Sequence, residues 1–175
     1  MSFELRTERL VLREQSPADI DSIAAGLADF QVTRWLTAVP FPYTRRDAEE
    51  WVARLTPPAV ERVNLSIVLP GVGFIGTVGI ADELGYWLAR AHWGHGYMTE
   101  AATTLVAWYF AESRAERLRS SAHAGNGASL GVQQKIGFVE TGRGRRFVRS
   151  LGREVEHVET VLTHTAFVGA LGRKP

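Results

Sequence analysis

Two glycines, Gly94 and Gly96, punctuate the run Trp93, Gly94, His95, Gly96, Tyr97, Met98, Thr99. Glycines so spaced let a backbone wrap closely around a phosphate with no Cβ in the way. The stretch beyond them has helical spacing: from Thr99 onward, Ala102, Leu105, Val106, Tyr109 and Phe110 recur at three- and four-residue intervals. The first turn of a helix carries unpaired N–H groups and partial positive charge, so a glycine loop entering one is an anion site. Arg90, His92 and His95 stand close by. The pattern matches neither the dinucleotide fingerprint, whose third glycine is replaced here by Thr99, nor a P-loop, since no Gly-Lys-Ser/Thr comes after it. A lone G-x-G is equally a turn where a helix packs on a sheet, so a second motif is needed. No metal site is expected: His92 and His95 lack a third ligand, and there is neither cysteine nor H-E-x-x-H.

The second motif is Asn126 to Phe138, NGASLGVQQKIGF. Asn126 reads as the N-cap of a short helix from about Ala128 to Lys135 that ends at Gly137. Ser129 stands three residues on, so its hydroxyl and the Asn126 amide can face one cleft edge. That pair suits a ligand built of amide bonds.

With both motifs in view, the chain resembles the GNAT superfamily of acyl-CoA N-acyltransferases, and within it the RimJ/RimL-type ribosomal-protein N-acetyltransferases. The similarity runs nearly end to end through RTERLVLRE, FIGTVGI, ELGYWL, HWGHGYMTEA, NGASLGVQQKIGF and a long terminal hairpin. One position departs. The family's pyrophosphate signature opens with Gln or Arg three residues before the first glycine, where Ala91 stands here. The loop works through backbone N–H groups, so this departure should weaken binding rather than abolish it.

The resemblance implies acetyl-CoA as acyl donor and an amine as acceptor, either a protein N-terminus or a small molecule. It implies a sheet that splays beside the strand at Glu83 to Leu88. Backbone groups of Tyr86, Trp87 and Leu88 would pair with the pantetheine amides, and an N–H at Trp87 or Leu88 would meet the thioester oxygen. The pyrophosphate would rest on Trp93 to Thr99. Glu83 is the implied general base, on one strand face with Gly85 and Trp87; its alternative is a solvated strand-start residue. Asn126 would bind pantetheine, and Ser129 would donate to the departing sulfur, with Tyr97 or Tyr109 as substitutes. The loop from Asp29 to Tyr43 holds Trp35, Phe41 and Tyr43, which either pack on the core or line the acceptor pocket. A homodimer is a family-level expectation. The rival is an acyl-CoA-binding or regulatory protein of the same fold without turnover.

These groups need a scaffold that the rest of the chain supplies. Phe3 to Arg13 alternates as a strand, and Ser16-Pro17 starts a helix whose apolar face is Ile20, Ile23, Ala24 and Leu27. Thr44 caps a second helix to about Leu55. Val63 to Leu69, Val72 to Ile80 and the Glu83 strand come next as consecutive antiparallel strands. Arg117 to Ala124 and Val155 to Phe167 read as further strands. The expectation is one α+β domain over residues 1–175, with a mostly antiparallel mixed sheet and about four helices.

Composition agrees. The chain has 175 residues, 45% of them hydrophobic, enough for one buried core. A formal charge of +1 with interspersed signs gives no nucleic-acid footprint. The basic run Arg143, Arg145, Arg146, Arg149 could attract an acidic acceptor or the phosphates of CoA, but alternation with Glu154, Glu156 and Glu159 across a hairpin favours cross-strand ion pairs. The absence of cysteine excludes an acyl-cysteine intermediate. No apolar run approaches the roughly twenty residues that span a bilayer, and the N-terminus does not read as a signal peptide. A cytoplasmic protein is expected.

Overall fold

The computed structural model describes residues 3–172. Its strands are β1 (Glu4–Arg6), β2 (Val11–Glu14), β3 (Val63–Leu69), β4 (Gly73–Ile80), β5 (Leu84–Leu88), β6 (Arg117–His123), β7 (Val139–Val148) and β8 (Arg153–Thr163). They form one mixed sheet in the order β1-β2-β3-β4-β5-β6-β8-β7. The helices are α1 (Ile20–Leu27), α2 (Phe30–Thr33), α3 (Arg45–Ala53), α4 (Tyr97–Glu112), α5 (Gly127–Ile136) and α6 (His164–Leu171).

Six helices replace the four expected. The four-residue α2 lies within the loop read as irregular, and α6 takes the end of the segment read as strand. There Thr163 accepts a hydrogen bond from Ala166 N–H at 3.1 Å, capping a helix that turns away from the sheet. The strand expected over Phe3 to Arg13 is instead a hairpin, β1 and β2, whose turn is held by the Leu10 N–H donating to Thr7 Oγ1 at 2.8 Å.

All neighbouring strands run antiparallel except β5 and β6, which α4 connects as a crossover. α4 buries Met98, Ala101, Ala102, Leu105, Val106 and Phe110 in one cluster with Leu84, Leu118 and Leu162. On the opposite face, Ile23, Leu27, Val32 and Ala48 pack with Phe74 and Trp87. Alternation along β5 therefore sends Leu84 and Leu88 toward α4 and Trp87 toward α1.

Asp19 ties α1 to the sheet. It is 2% exposed, takes two hydrogen bonds from Arg13 at 2.8 and 2.7 Å, and accepts from the Ser66 hydroxyl at 2.9 Å. Burial opposes its ionisation, but these bonds outweigh it and hold the carboxyl below its usual range. Of the hairpin arginines, Arg143 pairs with Glu156 at 2.9 Å and Arg145 with Glu154 at 3.4 Å as expected, whereas Arg146 turns mainly to Glu83, with Glu159 4.0 Å away, and Arg149 donates to Ala38 O at 3.2 Å. Among the described residues no helix is long and apolar enough to cross a membrane.

Candidate active site

The sheet opens between β5 and β6. Their register holds a single pair, Leu84 with Ser120, reinforced by the Ser120 hydroxyl donating to Leu84 O at 2.9 Å. Beyond it the two parallel strands share no further pair. In an extended strand both backbone groups of a residue point to the same side, and successive residues alternate. Since Leu84 faces β6, Tyr86 and Leu88 face the opening, while Gly85 and Trp87 face β4. The Trp87 carbonyl confirms this, for a Cβ on Gly76 of β4 would lie 2.2 Å from it. Of the two expected oxyanion donors, Leu88 N–H therefore faces the wedge and Trp87 N–H faces β4. The Leu88 carbonyl accepts from the Trp93 indole at 2.8 Å. The backbone groups of Tyr86 and the N–H of Leu88 remain for a ligand.

The glycine loop lies at the open end of this wedge. Gly94 and Gly96 both have φ of 78°, the left-handed region closed to most side chains, and Gly96 is the N-cap of α4. No side chain caps this helix, so the N–H groups from Tyr97 to Thr99 are left to an anion. Arg9, in the β1–β2 turn, steadies the loop from outside. It donates to His95 O at 3.0 Å and to Glu100 at 2.7 Å, and its guanidinium lies 4.6 Å from the Tyr97 ring centre. His95 stacks on the same tyrosine at 5.5 Å. Glu100 also accepts from Thr7 and from Arg9 N–H. Burial would raise its pKa, but these bonds hold it below the usual range, and Arg9 neutralises it beside the helix start. A shallow pocket here is lined by Thr7, Arg9, Gly96, Thr99, Glu100 and Lys135 among others. Sequence reasoning missed Arg9 and Lys135, and Arg90, expected near the phosphate, pairs with Asp29 at 2.9 Å.

Asn126 caps α5, its Oδ1 accepting Ser129 N–H at 3.1 Å, which leaves the amide NH₂ for a ligand. The Ser129 hydroxyl lies 3.0 Å from the Tyr86 hydroxyl, which also reaches Ser129 O at 3.1 Å. Burial pushes the Tyr86 phenol up, so it stays a proton carrier beside Ser129. This coupling was not read from the sequence, which named Tyr86 for its backbone. Tyr109 lies twelve residues beyond Tyr97 on α4, about 18 Å along the axis.

Glu83 precedes β5 and is engaged on both oxygens. Arg146 donates to them at 3.0 and 2.8 Å, and the Ser121 hydroxyl donates at 3.0 Å. The Arg146 bonds, against the opposing effect of burial, hold the carboxyl below its usual range. A solvated strand-start residue it is not. Such a carboxylate stays ionised in neutral solution and takes a proton poorly.

The aromatic loop divides. Trp35 lies edge-on to His123 with ring centres 5.0 Å apart and borders Gly125, so it touches the turn leading to Asn126. Phe41 is exposed and packs on Phe30 at 4.9 Å. Tyr43 packs with the α1–α3 cluster, where burial pushes its hydroxyl up to about 12. Among the described residues no three His, Asp or Glu side chains gather as metal ligands.

A mixed sheet parted beside a crossover helix with a glycine-built start is the architecture that the resemblance to acyl-CoA N-acyltransferases implies. The acetyltransferase (GNAT) domain family matches residues 9–139, three quarters of the chain, and the chain belongs to it. The uncharacterized N-acetyltransferase p20 of Bacillus licheniformis is 27% identical over 162 residues, covering 87% of this chain and 91% of that protein. In structure, Mycobacterium smegmatis RimJ in complex with CoA-disulfide superposes with a TM-score of 0.81 at 19% identity, covering 98% of this chain and 92% of that one. The microcin C7 self-immunity acetyltransferase MccE, in complex with acetyl-CoA and AMP, gives a TM-score of 0.74 at 14% identity, covering 89% and 93%.

Proposed function

We propose that residues 1–175 act as one catalytic domain of the RimJ/RimL-type branch. It transfers an acetyl group from acetyl-CoA to a primary amine, a protein N-terminus or a small molecule, by direct attack in a ternary complex. The observation that carries this reading is the opening between β5 and β6, which pair only at Leu84 and Ser120 and lead to an uncapped helix start. The CoA ligands in the RimJ and MccE structures support the same donor here.

In this reading pantetheine lies along β5 as a substitute strand, bonded by Tyr86 and Leu88 backbone groups and by the Asn126 amide. Its pyrophosphate rests on the N–H groups of Gly94 to Thr99, that of Trp93 being bonded to Arg90 O at 3.2 Å. The amine nitrogen attacks the thioester carbon, the C–S bond breaks, and the ammonium proton leaves while the sulfur gains one. Leu88 N–H meets the developing oxyanion. Ser129, backed by the Tyr86 hydroxyl, donates toward the sulfur. Glu83 attracts the incoming ammonium as a fixed carboxylate, and water takes the proton, a smaller role than the general base expected from sequence. Trp35 lines the acceptor side.

The second reading, an acyl-CoA-binding protein without turnover, is favoured by Ala91 and by the engagement of Glu83. One experiment separates the two: thiol release from acetyl-CoA measured against a panel of amines, beside thermal shifts with CoA. Turnover with any amine supports the transferase. CoA stabilisation with no thiol release across the panel supports the binder, and stabilisation by ATP but not CoA would overturn both.

A further inference from the structure

Resting on the transferase reading, we propose that Arg34, His123 and the Trp35 ring form a subsite for an oxyanion, a carboxylate or phosphate carried by the amine acceptor itself. Arg34 is the C-cap of α2, with its guanidinium 4.9 Å from the Trp35 ring and 5.9 Å from the Phe30 ring. Its Nε is buried and has no hydrogen-bond partner among the described residues. No carboxylate pairs with it there, and Asp29, five residues before it, is taken by Arg90. An arginine stacked on aromatic rings with its donors unspent is pre-organised for a planar oxyanion.

His123 closes the other side. It ends β6, meets Trp35 edge-on, and stands opposite His157 in the β6–β8 register. Its Nδ1 accepts the Gly125 N–H at 3.4 Å, so the neutral ring presents Nε2–H. His157 offers nothing further, since Nδ1 lies 3.1 Å from Val155 O and Nε2 lies 3.4 Å from Thr37 Oγ1. Burial first, then the charges of His157, Arg34 and Arg153, keep His123 below its ordinary pKa. The cluster is thus all donor and positive field, which repels an ammonium and suits an oxyanion.

The nearest acids lie further along the same face. Glu159 faces Ser121, the register pair next but one to His123 and His157, and it shares Arg146 with Glu83. Two strand residues span about 7 Å. On this face the two carboxylates stand with Arg146 and, at longer range, Arg119, and the Arg34 and His123 donors lie a short step away. An amine whose carboxylate or phosphate lies a few bonds from its nitrogen fits both ends.

The test compares KM for matched amines at equal free-amine concentration: β-alanine against its amide, and phosphoethanolamine against ethanolamine. The expected result is a KM about ten- to hundredfold lower for at least one anionic member. That preference is lost in Arg34→Gln and partly restored in Arg34→Lys, with folding checked by thermal melting. Which anionic amine wins names the oxyanion. Equal KM values within both pairs would overturn the subsite while leaving the transferase reading intact. A readout independent of turnover is the His123 ring titration by NMR. N-acetyl-β-alanine or N-acetylphosphoethanolamine should raise the His123 pKa in the parent protein, their uncharged counterparts should not, and Arg34→Gln should blunt the rise. An unmoved titration overturns the subsite even if no amine is acetylated.

Discussion

Glu83→Gln tests the proton economy of the site most sharply. The carboxylate is fixed by Arg146 and Ser121 and its pKa lies below the ordinary 4.5. An α-ammonium titrates near 7.7–8.0. Moving its proton onto Glu83 would therefore be uphill by more than three pKa units, at least about 4 kcal/mol. A group so poor at taking protons cannot supply the roughly 10²–10⁴-fold of a working general base. The glutamine variant keeps the shape but loses the charge that draws the ammonium, so kcat/KM should fall by about tenfold or less. The alkaline-rising limb should keep its midpoint, because that limb belongs to the amine. Stability should fall by about 1 kcal/mol, the scale of a partly exposed ion pair, and an Arg146→Met change should add little once Glu83 is gone. Initial rates from pH 5.5 to 9.5, with a confirmed amine, give the answer. A loss above a hundredfold together with a flattened limb would refute this reasoning and restore Glu83 as the base.

Five other substitutions probe separate parts of the account. Gly96→Val places a β-branched residue at φ 78° and crowds the anion site, so CoA affinity should drop at least about a hundredfold; isothermal titration showing normal affinity would reduce the loop to a turn. Ser129→Ala and Tyr86→Phe should each lower the single-turnover rate about tenfold with CoA affinity held, and the double variant should lose little more, because the hydroxyls act as a unit. Asn126→Ala, by contrast, should weaken CoA binding and cost about 1 kcal/mol as a lost cap. Asp19→Asn should cost about 3 kcal/mol by leaving Arg13 unpaired. Since the folded pKa of Asp19 is depressed, its contribution is full above about pH 4 and lost as pH falls through the folded value. Urea melts of the variant should accordingly show a weaker acid dependence than the parent.

How far the sequence was legible depended on the distance between the partners. α3 was readable because Thr44 and Asp47 cap it reciprocally within three residues. The α4 start and the Asn126 cap were readable for the same local reason. The β1–β2 hairpin was not read, although the apolar positions shift from odd (Phe3, Leu5) to even (Leu10, Leu12) across its turn, a break in alternation that marks it. α6 was hidden because the β-branched pattern from Val155 to Leu162 was extended through to Phe167, although Thr163 was a cap signal in plain view. The electrostatics of the site lay beyond local pattern altogether. Arg9 meets Glu100 across 91 residues and Arg146 meets Glu83 across 63. Which edge Trp87 turns to the wedge depends on strand register alone.

The most direct measurement is a crystal structure with acetyl-CoA bound. The account predicts pantetheine between β5 and β6, bonded to the main chain of Tyr86 and Leu88 but not of Trp87. The pyrophosphate should lie on the N–H groups from Gly94 to Thr99, with the thioester within reach of Ser129. Acetyl-CoA lodged elsewhere, or pantetheine paired through Trp87 with β4 displaced, would contradict it.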